Sequence, residues 1–126
     1  ELTVQDVKKA QKAHSDALFI AHPECPPEVL ALADSIQSTS GMIQFAGESD
    51  HSSFILGTEM GILYPIANAH PGKKFYPASE KMYCEDMKKV TPEKILQSLE
   101  TLSGQVTVPE DIRLKALGSV EKMINL

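Results

Sequence analysis

The sequence is short of basic charge, of cysteine and of long apolar runs, and each shortage excludes something. Its 12 lysines and arginines against 17 aspartates and glutamates leave a formal net charge of −5. No basic footprint results, so nucleic acid is not an expected partner. No apolar run approaches the roughly 20 residues that cross a bilayer, so no membrane association is expected. Residues 1–20 lack a signal peptide's order of basic start, apolar stretch and small-residue cleavage site. The only cysteines, Cys25 and Cys84, lie far apart. They are too few for a secreted disulfide scaffold, and they do not form the C-x-x-C of a local zinc knuckle or dithiol. A reducing compartment follows, cytoplasmic or, in a plant, plastidial. What is present is ordinary for a globular chain: 126 residues, 42% hydrophobic and 23% charged. That suits one domain with a real core, spanning 1–126. Glu1 stands where a methionine would start a gene product, and a helical pattern begins almost at once. A piece of a longer protein is expected.

Apolar spacing sets the order of elements. Thr3 to His14 reads as a helix, with Val4, Val7 and Ala10 on one face and Thr3 and Asp6 placed as a capping box. Leu18 to Ala21 reads as a buried strand. Pro26-Pro27-Glu28 opens a helix with proline in its tolerated first turn. Ser35-Ile36 reads as a very short strand, and Met42 to Ala46 as a short helix. Phe54-Ile55-Leu56 is a third strand, followed by an apolar helix from Met60 to Ile66. Pro71-Gly72 is a turn before a fourth strand, Lys74-Phe75-Tyr76. Thr91-Pro92-Glu93 opens a helix through Ile95, Leu96 and Leu99. Gln105 to Val108 reads as a strand, and about 109–124 as a final helix. Alternating strands and helices predict a three-layer α/β/α domain around a short parallel sheet of about four strands.

A parallel sheet opens the loops after strands one, three and four on one edge. They carry His22-Pro23-Glu24-Cys25, Gly57-Thr58-Glu59 and the segment with Cys84. The Ser38-Thr39 loop joins them if Ile36 is strand. That edge is where open α/β sheets bind ligands. Glu24 reads as a general acid or base with His22 as donor or relay; the plainer alternative is a carboxylate at the start of the next helix. Pro23 stiffens the turn between them. Ser38 and Thr39 suit a bound carboxylate or phosphate, or simply cap the short helix. Cys84 is either inert or a ligand to a metal completed from elsewhere, with Lys88 and Lys89 favouring its thiolate. Cys25 reads as a small buried hydrophobe. His14, His51 and His70 read as surface residues, and the stripe from Met60 to Ile66 as core.

Four motifs in order resemble quinolinate synthase, and they cover most of the chain. They are Ile20-Ala21-His22-Pro23-Glu24-Cys25-Pro26, Ser38-Thr39 with Met42, Ile55-Leu56-Gly57-Thr58-Glu59-Met60-Gly61 with Phe75-Tyr76-Pro77, and Cys84-Glu85-Asp86-Met87-Lys88-Lys89-Val90-Thr91. The resemblance implies the C-terminal third of three similar α/β/α domains. It implies a [4Fe–4S] cluster held by one cysteine from each domain, with one open iron acting as a Lewis acid. It implies a transferase that condenses iminoaspartate with dihydroxyacetone phosphate to quinolinate for NAD biosynthesis. Carried over by residue, Cys84 is the cluster ligand and Cys25 none. His22, Pro23 and Glu24 contact substrate, with Glu24 and His22 catalytic; Ser38 and Thr39 hold a substrate carboxylate. Gln37 stands where the family commonly has glycine, and Asp86 where asparagine is frequent. Two cluster cysteines and two domains are absent from this sequence, so the chain alone is expected to be inactive and iron-free and to self-associate through exposed faces.

Two alternatives stand beside this. One is a stand-alone α/β binding module that kept the fold and lost the chemistry. The other, a hydrolase built on Cys25 and His22, is weak, because no third member orients the pair.

Overall fold

Residues 2–125 are described by a computed structural model, and the chain divides into two compact units at Glu85–Asp86. The first unit holds helix α1 (Val4–Ala13), strand β1 (Leu18–Ala21), helix α2 (Pro27–Leu30), strand β2 (Ser35–Ile36), helix α3 (Thr39–Glu48), strand β3 (Ser53–Gly57), helix α4 (Leu63–Ala69) and strand β4 (Lys74–Pro77). The four strands form one parallel sheet in the order β2-β1-β3-β4.

Period-two alternation along the strands sorts the core into two halves. Phe19, Ala21 and Ile55 point to one face, where Val7 of α1 and Val29 of α2 cover them. Ile20, Phe54 and Leu56 point to the other, under Met42 and Ala46 of α3 and Ile66 of α4. The order explains this division. The chain steps from β1 outward to β2, then back across β1 to β3. Crossovers of one hand must then place α2 on one face and α3 and α4 on the other. All five residues of β3 are buried, as suits a central parallel strand.

Local chemistry fixes the ends of the helices. Thr3 and Asp6 form the reciprocal capping box expected from sequence. α3 begins at Thr39, three residues earlier than the apolar spacing predicts. The reason is Ser38, whose hydroxyl accepts the Gly41 N–H at 3.2 Å and starts the helix ahead of its first apolar residue. The stripe after β3 opens as a 3₁₀ turn, Met60–Ile62, before α4, whose first turn accommodates Pro65. Two tertiary contacts correct the surface assignment of histidines. The His14 ring stacks on Tyr76 with centroids 3.5 Å apart, and His70 Nε2 lies 2.8 Å from the Ile43 carbonyl. His51 is exposed, as expected.

The second unit holds helices α5 (Pro92–Thr101) and α6 (Glu110–Ile124), preceded by a 3₁₀ turn at Met87–Lys89. Thr91 caps α5, accepting the Lys94 N–H, and Leu102 in the left-handed region ends it. The strand expected over Gln105 to Val108 does not form among the described residues. The positive φ of Leu102 and Gly104 turns the chain just before it, and Val106 is 85% exposed. An extended segment without a neighbouring strand has no ladder to join. Neither helix of this unit buries a residue.

The core of the first unit should carry its stability. Phe54 is fully buried against Phe45 and Phe75. Phe54→Ala is expected to cost about 3–5 kcal/mol in urea unfolding, and Ile36→Ala, at a half-exposed edge position, less than about 1 kcal/mol.

Candidate functional site

The site forms where the order of the strands reverses. β1 sends the chain to β2 on one side, while β3 and β4 lie on the other. The connections leaving β1 and β3 therefore run in opposite directions along the sheet, and open α/β sheets bind ligands at the carboxyl edge of such a point. Register places Ala21 beside Gly57 and also beside Ile36, so the loops after β1, β2 and β3 start at one level. β2 is a true strand, and the Ser38-Thr39 loop accordingly joins the rim.

The loop after β1 is a tight turn. The Cys25 N–H donates to the His22 carbonyl at 2.9 Å, with Pro23 and Glu24 at the two corners. Proline presets the first corner. Glu24 does not have a positive φ, which excludes a type II turn and leaves the type I family. Two bonds fasten this turn to the end of β3. The His22 N–H and the Cys25 thiol both donate to the Gly57 carbonyl, each at 3.1 Å. A side chain at Gly57 has no room: a Cβ there would lie 2.9 Å from the Phe19 ring and 3.4 Å from the Ala21 Cα.

The turn presents His22 and Glu24 very differently. The His22 side chain is 23% exposed and that of Glu24 is 88% exposed, with Glu24 Oε2 3.8 Å from His22 Nδ1. The Glu24 backbone N–H points at the same Nδ1 at 3.4 Å. Where that N–H donates, Nδ1 carries no proton and a neutral ring holds its proton on Nε2, whereas the Glu24 carboxylate on the same side is met by a protonated Nδ1. Glu24 does not cap the following helix. The N-cap of α2 is Pro26, and no side-chain cap bond is made there, so Glu24 stands just ahead of that helix without bonding to it.

The other rim residues are mostly spent on structure. Glu59 caps the 3₁₀ turn after β3, its Oε2 accepting the Gly61 N–H at 2.6 Å. The Ser38 hydroxyl caps α3, as its plainer reading held, while Thr39 is the exposed first residue of that helix. Cys25 packs against the core half beneath α1 and α2. Burial there, and secondarily the Glu24 charge, push its thiol up from the ordinary value, against the opposing pull of a backbone hydrogen bond from the His22 region. It is a protonated structural thiol, which fits the small-hydrophobe reading and leaves the hydrolase alternative without a thiolate.

Cys84 is a free, half-buried thiol. Its segment is tied to the rim two residues earlier, where the Met82 carbonyl accepts the Met60 N–H at 2.9 Å. The Met82 side chain packs on the same core half as Cys25. Among the described residues no three His, Cys, Asp or Glu side chains gather as a complete metal site.

Sequence reasoning missed two supports of this site. The Asp34 carboxylate accepts the Phe19 N–H at 2.7 Å, bracing β1 beside β2. The Met60–Met82 bond brings the Cys84 segment to the end of β3. A carboxylate just before a predicted strand is a weak hint of the first; the second is a backbone contact with no signature in side-chain spacing.

Comparison with known proteins gives a consistent result. The family model described as Quinolinate synthetase A protein matches residues 1–125. A quinolinate synthase of Thermodesulfovibrio yellowstonii is 48% identical over 122 residues, 97% of this chain and 40% of that protein. Quinolinate synthase 2 of Methanosarcina acetivorans is 44% identical over 122 residues, covering 97% and 39%. A quinolinate synthase of Desulforudis audaxviator is 44% identical over 126 residues, covering 100% and 42%. The chain spans about two fifths of the length of these relatives.

The raised Cys25 thiol gives a chemical prediction. At about pH 8 its alkylation by iodoacetamide, mapped by peptide mass, should run several-fold slower than that of an unperturbed thiol. The sign for stability follows. A folded-state pKa above the unfolded one adds stability in full below the unfolded value, and that stability is lost as pH rises through the folded value. Native Cys25 should therefore become reactive together with alkaline loosening of the turn.

Proposed function

The chain belongs to the Quinolinate synthetase A protein family, and from that premise we propose that it supplies the acid–base side of quinolinate formation within a larger protein. The substrates are iminoaspartate and dihydroxyacetone phosphate. Phosphate and water are lost, so protons must be taken from carbon and delivered to leaving oxygen. The observation that carries the reading is the His22–Glu24 turn. It joins a solvent-facing carboxylate to a partly buried imidazole, at the carboxyl edge of the sheet where the strand order reverses.

The roles follow from environment. Glu24, exposed and not used as a cap, takes and returns protons during dehydration and tautomerisation. His22 donates from Nε2 to a carboxylate or developing oxyanion of the substrate. Pro23 fixes the turn that aims both. Thr39 and the first-turn N–H groups of α3 suit the second carboxylate of a dicarboxylic substrate, with the Ser38 hydroxyl setting where that helix starts. Cys84 would hold one iron of a [4Fe–4S] cluster whose remaining thiolates come from the rest of the protein. When bound, such a cluster with an open iron supplies Lewis-acid polarisation of substrate oxygen.

The second unit supports a role inside a larger assembly. Ile95, Leu96 and Leu99 on α5 and Leu114, Leu117, Val120 and Ile124 on α6 are each between 39% and 72% exposed. Apolar stripes at helical spacing suit a covering surface, and the remainder of a family protein more than twice this length is the occupant we assign to them. The chain by itself is expected to be inactive. The binding-module alternative has no specific observation in its favour.

In the full-length protein, reconstituted anaerobically, Glu24→Gln should lower kcat for quinolinate by about 10²–10⁴-fold while iron content stays at the wild-type level. Cys84→Ser should lose the iron and its absorbance, and Cys25→Ser should keep both. A full cluster in Cys84→Ser would overturn the ligand assignment. Undiminished quinolinate formation by Glu24→Gln would overturn the catalytic one.

A further inference from the structure

The Cys25 thiol is the one polar group at the turn for which neither the acid–base chemistry nor the metal centre has a use. Its surroundings are specific. The Gly57 carbonyl, at the last residue of β3, accepts two donors from the same turn, the His22 N–H and the Cys25 Sγ–H, each at 3.1 Å. These are the first and fourth residues of the turn, and the Cys25 N–H closes it onto the His22 carbonyl at 2.9 Å. Both ends are therefore pinned to one oxygen, and only the corners, Pro23 and Glu24, stand out from the sheet. The oxygen itself cannot drift, because β3 is buried throughout and Gly57 pairs with Ala21.

The imidazole depends on this arrangement. Its Nδ1 is kept as an acceptor by the Glu24 N–H, at a distance of 3.4 Å that leaves little slack. A small swing of the second half of the turn removes that bond, and Nδ1 then competes with Nε2 for the proton. A thiol is a weak donor, so its contribution is one of position rather than of strength.

We propose that Cys25 is a positioning residue for the acid–base pair: by donating its thiol proton to the Gly57 carbonyl it holds the turn in which the Glu24 N–H fixes His22 in the Nε2–H tautomer. It acts through His22 and Glu24 and does not touch substrate. The thiol must stay protonated and unmodified to do this, in keeping with its burial. The inference deepens the reading under Proposed function and rests on it for its catalytic consequence, while its structural claim stands on the turn alone.

The test compares Cys25→Val, which keeps an apolar side chain, somewhat larger and branched, and removes the donor, with Cys25→Ser, which keeps a donor, in the full-length protein. Cys25→Ala serves as the second donor-free variant if valine does not fold. The readouts are kcat for quinolinate at equal iron content and the ¹⁵N signals of His22, assigned by their loss in His22→Gln. Wild type should show a single Nε2–H tautomer. Cys25→Val should show a mixture and lose about 10- to 100-fold in kcat, with KM changed little, and Cys25→Ser should recover most of both. A single Nε2–H tautomer in Cys25→Val, or a serine variant as impaired as valine, overturns the proposal. If wild-type protein forms no quinolinate, the functional reading fails, and the His22 signals still decide the role of Cys25.

Discussion

The parallel pairing of β1 with β3 is the constraint on which the rest depends. Its register runs from Leu18 opposite Phe54 to Ala21 opposite Gly57. A slip of β1 by one residue would turn Phe19 and Ala21 toward α3 and α4 and Ile20 toward α1 and α2, mismatching both core halves. It would also move the Gly57 carbonyl away from His22 and Cys25. Core and candidate site therefore share one determinant: the steric fit that excludes a side chain at Gly57, between the Phe19 ring and the Ala21 backbone, also sets the height of the oxygen that fastens the His22–Cys25 turn.

Environment sorts like residues into unlike roles on this rim. Two carboxylates are present. Glu59 gives an oxygen to the Gly61 N–H and becomes a cap, while Glu24 extends from a turn corner into solvent. Two thiols are present. Cys25 is held as a protonated donor by burial, while Cys84 sits half-buried beyond the Met82 anchor as a free thiol. Two hydroxyls are adjacent. Ser38 turns inward to Gly41 and Thr39 begins the exposed face of α3. In each pair one member, Glu59, Cys25 or Ser38, bonds to the backbone of another residue.

The sheet was legible in the sequence because its signal is local. Leu18 to Ala21, Ser35-Ile36, Phe54 to Leu56 and Lys74 to Tyr76 are compact apolar or β-branched runs between turn residues, and all four form strands within a residue or two of their expected limits. That the loops after β1, β2 and β3 leave the sheet at one level followed from parallelism alone. What was not legible depends on contacts between distant segments. The stacking of His14 on Tyr76 joins the end of α1 to β4, and nothing in the pattern around either ring announces it. The early start of α3 came from a serine cap outweighing apolar spacing. The missing strand at Gln105 to Val108 shows the converse: β-favouring residues do not make a strand without a neighbour to pair with.

The two units differ in how far they satisfy themselves. In the first, every strand has a partner and both sheet faces are covered, so the turn at His22 is carried on a rigid support. In the second, α5 and α6 expose the very residues their spacing marks for burial. Isolated helices of 10 and 15 residues gain little from propensity alone, since helix stability in proteins comes mainly from packing of an apolar face. Their sequence is thus written for a neighbour. The His22–Cys25 turn needs none, because the contacts that define it come from β1, β3 and its own four residues.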